Sequence, residues 1–113
     1  MCFDRSDGRL LWQQEIPFTG KEPTHDTNPY CSASPVTDGE RVIAWHGSAG
    51  AVAYDLSGRE LWRRDLGPFD HIWGNASSPI LVGVQVILCC GPGPQSVLVA
   101  LDTAGIRKKG KIA

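Results

Sequence analysis

The sequence predicts an all-β fold of short antiparallel strands, and three observations carry that expectation. Apolar runs are only four to seven residues long, rich in β-branched and aromatic residues, and bounded by Gly, Pro, Asp or Ser. Glycine and proline, 13 and 8 among 113 residues, punctuate the whole chain and disfavour long helices. No stretch sustains an apolar stripe at helical spacing. With 42% hydrophobic residues the chain can build a core, and its length suits one small domain or a piece of a larger one.

The elements follow in order from a repeat. Ser34-Pro35-Val36 recurs as Ser78-Pro79-Ile80, and Arg41-Val42-Ile43-Ala44 as Gln85-Val86-Ile87-Leu88, both at an offset of 44. Val52 to Gly58 recurs as Val99 to Gly105 at an offset of 47. The extra residues fall in Gly91-Pro92-Gly93-Pro94-Gln95-Ser96, where a loop absorbs them. A third partial copy opens the chain: Cys2-Phe3-Asp4 and Leu11-Trp12 match Ala53-Tyr54-Asp55 and Leu61-Trp62. Strands are therefore expected at 34–36, 41–45, 51–54 and 60–66, and again at 78–80, 85–90 and 97–101. Asp38-Gly39 marks a tight hairpin between the first two, and Ser57-Gly58 supplies a turn with positive φ.

Four antiparallel strands every 40–50 residues is the pattern of a propeller blade. The expected division is the end of one blade at 1–16, a linker at 17–29, a complete blade at 30–66 and a linker at 67–74. A second blade with a degenerate last strand follows at 75–109, then a tail at 110–113. The fold is thus expected to be an incomplete propeller of about two blades. Its open edges need either the rest of a parent propeller or self-association.

The spacing Asp, short turn, Gly, then Trp four residues on resembles the tryptophan-docking motif of pyrroloquinoline-quinone-like, or quinoprotein-type, β-propeller repeat proteins. Asp4/Gly8/Trp12 and Asp55/Gly58/Trp62 carry it in full, while Asp102/Gly105 begin it and Lys109 stands at the Trp position. Ser34 to Val42 resembles the opening of a blade in that family. The residues suit a structural role. The Asp accepts hydrogen bonds from the turn, the Gly takes the left-handed conformation, and the Trp covers the gap to the next blade.

Two linkers are richer than a turn requires. One holds His25, Asn28 and Tyr30, the other His71, Trp73 and Asn75. Blade topology puts both at one mouth of the central channel, so His71, Trp73, Asn75, Asn28 and Tyr30 are the candidate ligand-binding residues.

The expected function is a non-catalytic binding or scaffolding module of a larger bacterial protein. It would have no cofactor, and its ligand, a protein or a small molecule, is not identified by the sequence. The alternative implied by the resemblance is a fragment of a quinone-dependent alcohol or sugar dehydrogenase. It would use pyrroloquinoline quinone with calcium and, beside the cofactor, a vicinal disulfide such as Cys89-Cys90 would form. The resembling family is commonly periplasmic or extracytoplasmic, and the sequence shows no secretion signal.

Other chemistries have little support. No Cys-x-x-Cys pair is present, and Cys89 and Cys90, adjacent on a strand, point to opposite faces, so no metal site is expected. No Gly-x-Ser-x-Gly elbow or convergent acid pair appears, and His25, His46 and His71 are scattered. Residues 1–106 hold seven basic against twelve acidic residues, with four basic residues at 107–111. That balance argues against nucleic acid, and no apolar run is long enough for a membrane helix.

Overall fold

The computed structural model describes residues 1–30, 32–91, 93–94 and 96–106. It is all-β, with antiparallel sheets and no α-helix among these residues. The first sheet pairs β1 (Cys2–Phe3) with β2 (Leu10–Trp12). The second has four strands in chain order: β3 (Val36–Thr37), β4 (Arg41–Trp45), β5 (Ala51–Asp55) and β6 (Glu60–Arg64). The third contains β7 (Ile80–Val82), β8 (Gln85–Cys90) and β9 (Val97–Asp102). The degenerate strand expected before Lys109 lies outside the described residues, as do Cys31, Pro92 and Gln95.

β4 and β8 have the limits read from the sequence, β5 and β9 each run one residue further, to Asp55 and Asp102, and the other three expected strands differ for physical reasons. Expected strands at 34–36 and 78–80 instead occupy Val36–Thr37 and Ile80–Val82. Pro35 and Pro79 have no N–H to give, so ladder pairing starts only after them. The strand expected to run to Leu66 stops at Arg64, because Arg64 pairs with Ala51 and β5 offers no partner beyond it.

Alternation along the strands fixes the core. Ile43 and Trp45 on β4 lie opposite Ala53 and Ala51 on β5, so all four project from one face. They pack against Val86, Leu88 and Cys90 of β8 and Val99 and Leu101 of β9. Phe69, from the linker after β6, joins this core with its ring edge-on to Trp45, centroids 5.7 Å apart. Burying one leucine such as Leu88 in that layer contributes about 1.5–3 kcal/mol. The opposite face of the second sheet carries Val52 and Tyr54, and Tyr54 meets the Trp12 ring of the first sheet at 5.7 Å.

The same joint links each sheet to the next. Trp12 Nε1 donates to Leu56 O at 3.0 Å, and Gln14 Nε2 donates to Gly58 O at 2.8 Å. Trp62 Nε1 donates to Thr103 O at 2.9 Å, and Arg64 Nε donates to Gly105 O at 2.6 Å. Gly58 and Gly105 have φ of +88° and +79°, and a Cβ on either would lie 2.6 Å from the indole. Both the conformation and the closeness therefore require glycine.

The acidic residue builds each turn. Asp55 Oδ1 accepts from Ser57 N, Ser57 Oγ and Arg59 N at 3.0, 2.6 and 3.0 Å. Asp102 Oδ1 accepts from Ala104 N and Ile106 N at 3.1 and 2.8 Å. Asp4 Oδ1 accepts from Ser6 N and Oγ at 2.8 and 2.6 Å, with one extra residue before Gly8. β3 and β7, the first strands of the second and third sheets, come together, and just before them Ser34 N donates to Ser78 Oγ at 2.9 Å.

Candidate functional site

The two linkers fold locally by the same device. In the first, His25 O accepts from Asn28 N at 2.8 Å and His25 Nδ1 accepts from Thr27 N at 3.3 Å. In the second, His71 O accepts from Gly74 N at 2.9 Å and His71 Nδ1 accepts from Trp73 N at 3.3 Å. Each imidazole thus caps its own turn through Nδ1. The offset of 46 between His25 and His71 was the available sequence signal for this pairing.

The linkers also pack on each other. Asn28 Nδ2 donates to Trp73 O at 2.5 Å, while Thr24 Oγ1 donates to Asn28 O. The His25 ring tilts against the Trp73 ring with centroids 4.7 Å apart. Gly74, at φ +67°, passes so close that a Cβ there would lie 2.6 Å from Thr24 Oγ1. His71, Trp73 and Asn28 are therefore brought together, joined by Thr24 and His25, which the sequence reading did not select. Trp73 remains 52% exposed and offers a ring face to solvent.

Tyr30 and Asn75 stand apart from that group and line a cleft of about 630 Å³ between the first two sheets. Tyr30 is held by its hydroxyl, which donates to Glu22 O at 2.6 Å. Asn75 is committed to the fold. With the amide oriented to satisfy both ends, its Nδ2 donates to Gly91 O at 2.9 Å and its Oδ1 accepts from Trp45 Nε1 at 2.6 Å. It ties the second sheet to the third, with both ends of its amide engaged.

The cleft wall is largely apolar and aromatic, with Ile16, Phe18 and Ala44 beside Trp12, Trp45 and Tyr54. Its buried carboxylate is already engaged: Glu22 Oε2 accepts from Ser48 N at 2.6 Å at the 3-10 turn Gly47–Ala49. Gly47, at φ +58°, leaves room for that carboxylate, since a Cβ would fall 2.5 Å from Glu22 Oε2. Ser48 Oγ then accepts from Phe69 N at 2.9 Å, fastening the following linker. His46, whose side chain edges the cleft, is held below its usual pKa by desolvation, then by the positive charges of Arg63 and the N-terminus. The cleft is suited to an apolar or aromatic group rather than an ion.

Cys90 is buried in the core and Cys89 is exposed, on opposite faces as alternation along β8 requires. Among the described residues no three His, Cys, Asp or Glu side chains converge as metal ligands. No helix there is long and apolar enough to cross a membrane. No family model matches the chain, and no curated protein matches it.

Proposed function

We propose that the chain is a run of quinoprotein-type propeller blades that serves a larger assembly as a non-catalytic binding or scaffolding module. The observation that carries this reading is the repeated joint. Trp12 and Trp62 each dock on the Asp–Gly turn of the following sheet through equivalent atoms. Sheets joined in series by one device, with inner strands β3 and β7 adjacent, suit radial packing round an axis.

The outward face of the third sheet supports a longer array. Ile80, Ile87, Cys89, Leu98 and Ala100 are the repeat equivalents of Val36, Ile43, Trp45, Ala51 and Ala53. In the second sheet these positions are packed on the third, yet Ile80 is 60% exposed and Leu98 and Cys89 are also open. Such a face calls for another sheet of the same kind, from a parent propeller or from self-association. The exposed Trp73 platform and the apolar cleft are the surfaces on which a module of this kind would take a protein or small-molecule ligand.

The test uses the purified chain. Its melting temperature is expected to be unchanged by pyrroloquinoline quinone with Ca²⁺, and a solution contact between Ser34 and Ser78 is expected in nuclear Overhauser spectra. A saturable quinone-dependent rise in melting temperature would overturn the non-catalytic reading. Absence of the Ser34–Ser78 contact would overturn the radial arrangement.

A further inference from the structure

Among the described residues, three turns pair an Asp with a Gly at the repeat's docking position, Asp4/Gly8, Asp55/Gly58 and Asp102/Gly105, and two of them hold an indole. At Gly58 and Gly105 an indole lies 2.6 Å from where a Cβ would stand, but no described residue lies within 4 Å of that point at Gly8. Gly8 nonetheless has the same left-handed backbone, φ +74°, and its turn, one residue longer, is closed by the corresponding pair of backbone hydrogen bonds. Gly8 N donates to Asp4 O at 2.8 Å, as Gly58 N does to Asp55 O and Gly105 N to Asp102 O. Asp4 N donates to Arg9 O at 2.7 Å, matching Asp55 N to Arg59 O and Asp102 N to Ile106 O.

The floor beside the turn matches as well. Phe3 stands in the repeat where Tyr54 and Leu101 stand. Tyr54 is covered by Trp12, and Leu101 belongs to the core on which Trp62 packs. Phe3 is 53% exposed. By position, the carbonyls of Arg5 and Gly8 correspond to the acceptors Leu56 O and Gly58 O in one joint, and to Thr103 O and Gly105 O in the other.

We infer that the Asp4–Gly8 turn with Phe3 is an open binding seat for a polypeptide strand bearing Trp, with Gln or Arg two positions later. The two filled seats define that occupant. Its indole would lie over Gly8 and Phe3 and donate to the Arg5 carbonyl, and its Gln or Arg side chain would donate to the Gly8 carbonyl. Trp12, Trp45 and Trp62 already donate their indole N–H groups, and Trp73 has Asn75 two positions on, so the strand comes from outside these 113 residues. This inference rests on the propeller reading and names one of its partners.

The experiment titrates the isotopically labelled full chain with a synthetic peptide of the sequence of residues 58–66, which carries Trp62 and Arg64. Saturable amide shifts are expected at Phe3 and Gly8. The same peptide with its Trp replaced by Ala should bind at least about tenfold more weakly, a loss of about 1.4 kcal/mol. The G8A chain should show a similar loss, because its added methyl occupies the indole position. The F3S chain, which leaves the turn backbone intact, should also bind more weakly. Unchanged shifts in β4 and β5 would show that either variant remains folded.

No binding at millimolar peptide, equal binding of the Ala peptide, or shifts confined to Gly58 and Gly105 would each overturn the open seat. If the seat fails while the Trp12 and Trp62 indole N–H groups stay protected from exchange, the propeller reading stands without it. If that protection is also missing, the reading fails too.

Discussion

Trp62 on β6 donates its indole N–H to the carbonyl of Thr103 at 2.9 Å, spanning two sheets and 41 residues of chain. Trp12 does the same to Leu56 at 3.0 Å. In each case the indole is admitted only because the turn presents a bare glycine beneath it. An acid, a glycine and a tryptophan at fixed spacing therefore describe a joint between neighbours, with the tryptophan of one sheet serving the turn of the next.

Replacing Trp62 separates the two parts of that joint. Trp62→Ala should cost about 3 kcal/mol or more through lost burial. Trp62→Phe keeps a ring but strands the Thr103 carbonyl, and should cost about 1 kcal/mol. Urea denaturation of the two variants measures the difference. Equal losses would mean that the hydrogen bond carries the joint.

Two glycine substitutions test close packing against backbone strain. Gly39→Ala faces only the left-handed penalty, since no described residue lies within 4 Å, and should cost about 1–2 kcal/mol. Gly105→Ala meets the same penalty plus the Trp62 ring at 2.6 Å. Its denaturation midpoint should fall further than that of Gly39→Ala.

The turns make the protein acid-sensitive. The Asp55 carboxyl is held down to about 2, against an ordinary 3.8, first by the Ser57 hydroxyl and then by Arg59. Asp4 is also lowered, chiefly by Ser6. A lowered carboxyl binds protons less readily when folded than when unfolded, so its stabilisation is present above about pH 4 and fades toward pH 2. Urea midpoints from pH 5 to pH 2 should fall for the wild-type chain and fall less for Asp55→Asn.

Asn75 is predicted to matter for stability. Asn75→Ala would leave the indole N–H of Trp45, a residue only 2% exposed, without its acceptor, at a cost of about 1–3 kcal/mol. Thermal melting checks this, and an unchanged midpoint would contradict the bridge.

Much of the fold was legible because its signals are local. Short apolar runs gave β4 and β8 their limits, and Asp38-Gly39 marked the hairpin that Asp38 Oδ1 builds by accepting from Glu40 N and Arg41 N. What was hidden depends on partners distant in the chain. Nothing near Asn75 announces that its amide will bridge Trp45 and Gly91. Glu22, in a polar linker, gives no sign that it will cap the turn at Ser48. His71, Trp73 and Asn28 were found as linker residues, but His25 against Trp73 becomes visible only when the linkers pack.

The most direct test is hydrogen exchange at the four indole N–H groups, followed by NMR. If the tryptophans join the sheets through their turns, Trp12, Trp45 and Trp62, whose N–H groups are bonded, should exchange more slowly than half-exposed Trp73. Slow exchange at Trp62 should be lost in the Gly105→Ala chain while Trp12 keeps its own. Exchange at Trp12 and Trp62 as fast as at Trp73 would contradict the joint.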